Sequence, residues 1–153
     1  MPEGYELRWI DDANALGDAL FGEVHHYLSV ESYWARGIPA ATLHKAISNS
    51  LSVVVTVVGS RKLAGFARIV TDRATYAYLC DVFVLPDAQK KGIAQTMLHA
   101  IDTHPDLQGL RRWMLMTRDA HTLYAKFGYE GLQDPARAMV RHDPDVYTRL
   151  TKP

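Results

Sequence analysis

The residues from Tyr76 to Ile101 constrain the fold more than any other stretch of the chain. A β-rich apolar run, Tyr76 to Leu85, breaks at Pro86, crosses the basic turn Gln89-Lys90-Lys91-Gly92-Ile93-Ala94 and enters an amphipathic helix. Ile93, Met97, Leu98 and Ile101 recur at helical spacing, and the helix must stop before Pro105. Strand, basic glycine turn and helix in this order aim several backbone N–H groups and a helix N-terminus at one anion. Gly92 permits close backbone approach or a positive φ. A solvated helix entry would use the same residue types, so the spacing leaves both readings open.

Any such anion site is local. The chain of 153 residues has 17 Lys+Arg and 17 Asp+Glu, so no global field draws it to nucleic acid or an anionic membrane. A hydrophobic fraction of 48% over this length supports one domain, residues 1–153, with a substantial core. No apolar run reaches membrane-spanning length, and the first residues lack a secretory pattern. Cys80 is the sole cysteine, which excludes an internal disulfide. The expectation is a cytoplasmic protein. No His/Cys/Asp spacing suggests a metal site, and no Walker-type or G-x-G-x-x-G pattern is present.

Around this centre the elements fall in a simple order. Tyr5 to Ile10 alternates as a strand. Asp11-Asp12 can cap a helix from Ala13 to Leu28, and a second helix is expected from about Pro39 to Ile47. Leu51 to Val58, Leu63 to Val70 and Tyr76 to Leu85 are strands joined by short turns, hence an antiparallel meander. After the glycine-turn helix come a strand from Leu110 to Thr117 and a helix from Ala120 to Phe127 closed by Gly128. Tyr129 to Leu132 and Arg137 to Arg141 are expected to supply final strands. A mixed α+β sheet with helices on both faces is the natural packing.

The turn Gln89-x-x-Gly92-x-Ala94 and the segment Ala120-His-Thr-Leu-Tyr124-Ala-Lys-Phe-Gly-Tyr129 resemble the two signatures of the GNAT N-acetyltransferase superfamily. So do Ser32-Tyr33-Trp34-Ala35, Gly65-Phe66-Ala67-Arg68 and Asp81-Val82-Phe83-Val84, which are similar to a group of small single-domain members. The resemblance implies a mostly antiparallel sheet that splays after its fourth strand, and acetyl-CoA as co-substrate. It assigns Gln89, Lys90, Lys91, Gly92, Ile93 and Ala94 to the diphosphate. Val82, Phe83 and Val84 fall where the family pairs backbone with pantetheine, the Val84 N–H pointing at the thioester carbonyl as an oxyanion donor. Thr117 lies near a position where the family often carries asparagine, a departure at the pantetheine arm.

The same resemblance makes Tyr124 the general acid that protonates the leaving thiolate, since a phenol keeps its proton at neutral pH. Core packing of Tyr124 beside Phe127 is the alternative. Asp81 could take the proton from the acceptor amine, or pair structurally with Arg68; His25, His26 and His121 are rival bases. By strand alternation Cys80 and Asp81 should face opposite sides, which argues against a Cys/Asp pair. His26, Glu31, Tyr33, Trp34 and Arg36 lie on or beside the segment that in this fold lines the acceptor mouth. The acceptor is expected to be a small-molecule amine. A protein amine, a longer acyl group, a CoA-binding module without turnover and a homodimer all remain open.

Overall fold

The computed structural model describes residues 1–153. Five strands lie in the order β1 (Tyr5–Ile10), β2 (Leu51–Val57), β3 (Leu63–Thr71), β4 (Tyr76–Val84) and β5 (Arg112–Leu115). The first four pair antiparallel, as expected of a meander, and β5 joins β4 in parallel. That last pairing covers only Tyr76 to Leu79 against Arg112 to Leu115, so the two strands separate beyond Leu79. The sheet is therefore mixed, mostly antiparallel and splayed after its fourth strand.

Both faces are covered. Helices α1 (Asp18–His26) and α2 (Ala40–Ser48) pack Leu20, Val24, Leu43 and Ile47 on one face. Helix α3 (Ile93–Asp102) and α4 (His121–Ala125) cover the other with Ile93, Met97, Leu98, Ile101 and Tyr124. The Val-rich β2 serves both layers, with Leu51, Val53 and Val55 turned to α3 and Val54 to α1 and α2. This is why its sequence is a continuous apolar run rather than an alternation. Gly65 sets how closely α3 sits on the sheet. A Cβ there would meet the Phe83 carbonyl oxygen at 3.2 Å and side-chain carbons of Ile93 and Met97 at 3.3 Å.

Three expectations are corrected. The first helix is not continuous from Ala13 to Leu28: a 3₁₀ turn at Ala13–Leu16, capped by Asp12, stops at Gly17, and α1 is followed by a π turn at Tyr27–Glu31. The strand expected from Leu110 to Thr117 shortens to β5. The final strands at Tyr129 to Leu132 and Arg137 to Arg141 do not form; a 3₁₀ turn at Pro135–Arg137 and a helical turn α5 (Val146–Leu150) take their place. Pro135 has no amide to donate, and no strand runs along the outer edge of β5.

The β3–β4 turn is built on one carboxylate. Asp72 accepts from the backbone N–H groups of Ala74, Thr75 and Tyr76 and from the Thr75 hydroxyl. Those bonds hold its pKa well below the ordinary 3.8, led by the Thr75 hydroxyl. Because the folded value is depressed, the stabilisation is present above pH 3.8 and fades as pH falls below it. Asp72→Ala is thus expected to lower the thermal midpoint at neutral pH. In a series of melts at decreasing pH, the gap from wild type narrows once pH drops below the carboxylate range.

Candidate cofactor and acceptor site

The site begins at a defect in β4. Phe66 pairs with Phe83 and Arg68 with Cys80, so Asp81 and Val82 together face the single residue Ala67. This is a β-bulge, and Asp81 occupies it with a left-handed φ of 53°. Aspartate tolerates that region better than most non-glycine residues. The extra residue shifts the alternation. Ala77 and Leu79 belong to the α3-side core, as do the packing partners Val82 and Val84, whereas Phe83 belongs to the α1/α2 core.

The bulge overturns the expectation that Cys80 and Asp81 face opposite sides. Cys80 stands opposite Arg68, and the Asp81 carboxylate bonds the same arginine. Both side chains therefore lie on the α1/α2 side. Burial, then the Asp81 charge, pushes the Cys80 thiol from its ordinary 9.0 up to about 12. It stays protonated at neutral pH and is a poor nucleophile.

Asp81 is buried and tied on two sides. Its Oδ2 accepts from Arg68 Nε at 2.7 Å, and its Oδ1 from the Trp34 indole N–H at 3.0 Å. Arg68 in turn donates to the Ser50 hydroxyl at 3.1 Å. Burial pulls the Arg68 guanidinium down, but Asp81, with smaller contributions from Cys80 and Tyr147, raises it further and the net shift is upward. The pairing with Arg68 read from the sequence is present, and Trp34 adds a link between the α1–α2 segment and β4.

Past the bulge, the backbone of β4 turns outward. Leu85 N–H donates to Ala64 O at 2.8 Å, which makes Gly65 and Val84 a non-hydrogen-bonded pair. The N–H and C=O of Val84, and by alternation those of Val82, therefore point toward the gap where β5 has left. Gln89 Nε2 donates to the Val84 carbonyl at 3.1 Å, leaving the Val84 N–H facing the gap. Phe83 differs from its neighbours. Its backbone is turned to β3, and its ring stacks on Tyr27 at 3.8 Å in the opposite core.

The gap opens onto the glycine turn. Gly92 is left-handed (φ 79°) at the N-cap of α3, and Lys90 is left-handed as well (φ 60°). No side chain caps α3, so its first amides face outward. Val84, Gln89, Lys90, Gly92, Ile93, Ala94 and Leu123 line a hollow of about 320 Å³. The Ile93 side chain is buried in the α3-side core. Lys91 turns aside, donating to the Tyr5 hydroxyl and the Asp87 carbonyl, both at 2.9 Å. Lys90 makes no such bond, so it is the cation presented by the turn.

Tyr124 follows Leu123 on α4, which Thr117 starts by accepting from the Ala120 N–H at 3.0 Å. Its phenol is raised above 10.0, by burial first and then by Tyr33. Tyr33 of the α1–α2 segment thus lies within electrostatic range of Tyr124. Tyr33 also meets Trp34 edge-on at 5.1 Å and lies beneath the Arg118 guanidinium at 4.0 Å. His26 and Glu31 form an exposed pair at 3.6 Å, and Arg36 is exposed; neither joins the Trp34–Asp81 contact. Arg118 and Tyr147 were not legible as site residues. Tyr147 is raised by burial and then by Asp81, yet it arrives from the far C-terminal segment with no local motif.

Comparison with known proteins agrees with this architecture. A family described as an acetyltransferase (GNAT) domain matches residues 49–131. A Xanthomonas campestris structure, provisionally assigned to the GNAT acetyltransferases, is 41% identical over 94% of this chain and 97% of its own, with a TM-score of 0.84. A Gibberella zeae protein provisionally assigned as an acetyltransferase is 31% identical over 113 residues, 61% of this chain. The chain spans 63% of that curated relative's length. Glucosamine-6-phosphate N-acetyltransferase from Arabidopsis thaliana shares the fold alone, at 12% identity and a TM-score of 0.65. The chain belongs to the GNAT acetyltransferase family, whose members use acetyl-CoA as co-substrate.

The Arg68–Asp81 pair gives a direct test of what holds the bulge. Arg68→Met leaves a buried carboxylate with the Trp34 donor alone and is expected to cost about 3–5 kcal/mol in urea unfolding. Adding Asp81→Asn to that variant, which removes the charge while keeping a residue that tolerates the left-handed φ and an acceptor for Trp34, should recover most of the loss. A single variant as stable as wild type would refute the role given to the pair.

Proposed function

We propose that this protein transfers an acetyl group from acetyl-CoA to a primary amine of a small molecule, directly and through a tetrahedral intermediate. The observation that carries this reading is the outward-facing backbone of Val82 and Val84, set beside a left-handed glycine turn and an uncapped helix. Amides of Gly92, Ile93 and Ala94, with the Lys90 side chain and the turn backbone of Gln89 and Lys91 around them, bind the diphosphate. The Val82 and Val84 backbone pairs with pantetheine as an added strand, against the floor that Phe83 backs and beside Thr117. The Val84 N–H then meets the thioester oxygen, where it stabilises the developing oxyanion.

On the other side of β4, the amine enters between Tyr33 and Trp34, with His26, Glu31 and Arg36 at the rim. Asp81 accepts its proton through a water, because each carboxylate oxygen already holds one donor. The amine attacks the acetyl carbon, and collapse of the intermediate breaks the C–S bond. Tyr124 gives its proton to the departing thiolate. Burial raises its pKa, so the acid form is the one present at neutral pH.

Thermal melting with and without acetyl-CoA tests the cofactor site. Cofactor at about one hundred times its Kd should add about 2.7 kcal/mol to wild-type stability. Lys90→Glu combined with Gly92→Glu should melt at the same temperature with or without it. No wild-type shift at millimolar cofactor would sink the acetyl-CoA reading.

Tyr124→Phe tests the acid. Thiol release with a reactive amine should fall by about 10²–10⁴-fold in kcat, with the KM for acetyl-CoA little changed. An unaltered kcat would reassign Tyr124 to packing. A protein that melts higher with acetyl-CoA, yet releases no thiol with any amine in a broad panel, would be a binding module instead.

A further inference from the structure

Arg118 has no part in the transfer described above, yet it stands at the acceptor mouth with its donors unused. Its guanidinium lies over the Tyr33 ring at 4.0 Å, and it is the only arginine of the chain held on an aromatic face. Asp119 comes within 3.7 Å of one of its nitrogens, beyond hydrogen-bond reach. Both side chains are mostly in water, where such a pair is weak. A stacked guanidinium has its plane fixed while the N–H groups around its edge stay free.

Both members of the stack rise from fixed backbone. Arg118 follows Thr117, whose hydroxyl accepts from the Ala120 N–H at 3.0 Å and starts α4. Tyr33 follows the buried Ser32, whose hydroxyl donates to the Leu28 carbonyl at 2.6 Å and accepts from the Ala35 N–H at 3.1 Å. The fork of donors is therefore in place before a ligand arrives, which lowers the ordering cost of binding.

From Arg118 the contacts run inward. Tyr33 meets Trp34 edge-on at 5.1 Å, and Trp34 donates to Asp81 at 3.0 Å. Tyr33 is 49% exposed and Trp34 40%, so ring surface remains for the body of an acceptor. Arg68 already matches the charge of Asp81 inside the protein, whereas no group of the chain hydrogen-bonds the Arg118 guanidinium. A cationic fork at one end of an aromatic strip and a proton-accepting carboxylate at the other suit a molecule with an anion and an amine at its two ends. The planar fork matches a carboxylate, which takes two parallel N–H···O bonds.

We propose that Arg118 determines acceptor specificity, and that the acceptor is an amine carrying a carboxylate, an amino acid in the broad sense. The carboxylate docks on the edge of the guanidinium, the body lies along Tyr33 and Trp34, and the amine reaches the thioester on the Asp81 side. Tyr33 is a positioning residue that holds the fork. This assignment rests on the acetyl-transfer reading, and its test separates the two.

Thiol release is measured with matched acceptors: phenylalanine against phenethylamine, and β-alanine against ethylamine. Arg118→Gln should lower kcat/KM for each acid about tenfold more than for its decarboxylated partner, chiefly through KM. Comparing variants on one acceptor cancels that amine's intrinsic reactivity. Arg118→Lys should recover only part of the loss, since an ammonium lacks the fork. Tyr33→Phe should keep the discrimination and Tyr33→Leu lose it. An equal effect on both members of each pair would overturn the proposal and leave the transfer reading standing. So would loss of the acetyl-CoA melting shift in Arg118→Gln, which would place the residue on the cofactor. Phosphoethanolamine favoured over both acids, in an Arg118-dependent way, would overturn the choice of carboxylate. If no amine releases thiol, the transfer reading fails, and melting with CoA plus N-acetylphenylalanine decides the site alone. A shift in wild type that Arg118→Gln abolishes would support it, and any other result would overturn it.

Discussion

The structure depends on one irregularity in β4, the bulge at Asp81, and on the pair of donors that keep it in place. A left-handed aspartate inside a strand is strained, and its carboxylate is buried. Arg68 and Trp34 offset both costs at once. The result is a change of phase along the strand: residues before and after the bulge present opposite parities to the two cores. The same change occurs close to where β5 departs, so the strand reaches the gap with its backbone facing an open edge.

This arrangement joins the two halves of the candidate site mechanically. Arg68 holds Asp81 from the neighbouring strand, and Trp34 holds it from the segment between the first two helices. Trp34 also contacts Tyr33, which influences Tyr124 on the opposite helix layer. Gly65 completes the frame by letting α3 approach the sheet closely, which brings the glycine turn near the end of β4. Fold and site are set by the same few contacts.

The elements that were legible share a cause. The meander, α2, α3 and the glycine turn are governed by local periodicity, turn chemistry and proline or glycine positions. Those signals act within a few residues and survive without tertiary context. The failures also share one. A helix drawn through Gly17, a β5 extended by two residues at each end, and two strands drawn at Tyr129 to Leu132 and Arg137 to Arg141 each require knowing what lies alongside. The last segment carries β-prone residues, but a strand forms only where a neighbour offers an edge to pair with. Cys80 and Asp81 show the point most sharply, because one inserted residue reversed an inference that perfect alternation would have supported.

The sequence by itself determined the order of elements as far as α4, the family resemblance and the position of the glycine turn, since all three reside in short spacings that the chain carries unfolded. It also supplied Asp81, Arg68 and Tyr124 as candidates. Only the tertiary structure decided that Val84 turns its N–H to the gap while Phe83 turns its own to β3. It alone brought Trp34 to Asp81, Tyr33 beneath Arg118 and Tyr147 to the α1/α2 core. The reason is physical: a hydrogen-bond parity or a contact across many residues depends on the register and packing of several elements together, and no single stretch of sequence encodes it.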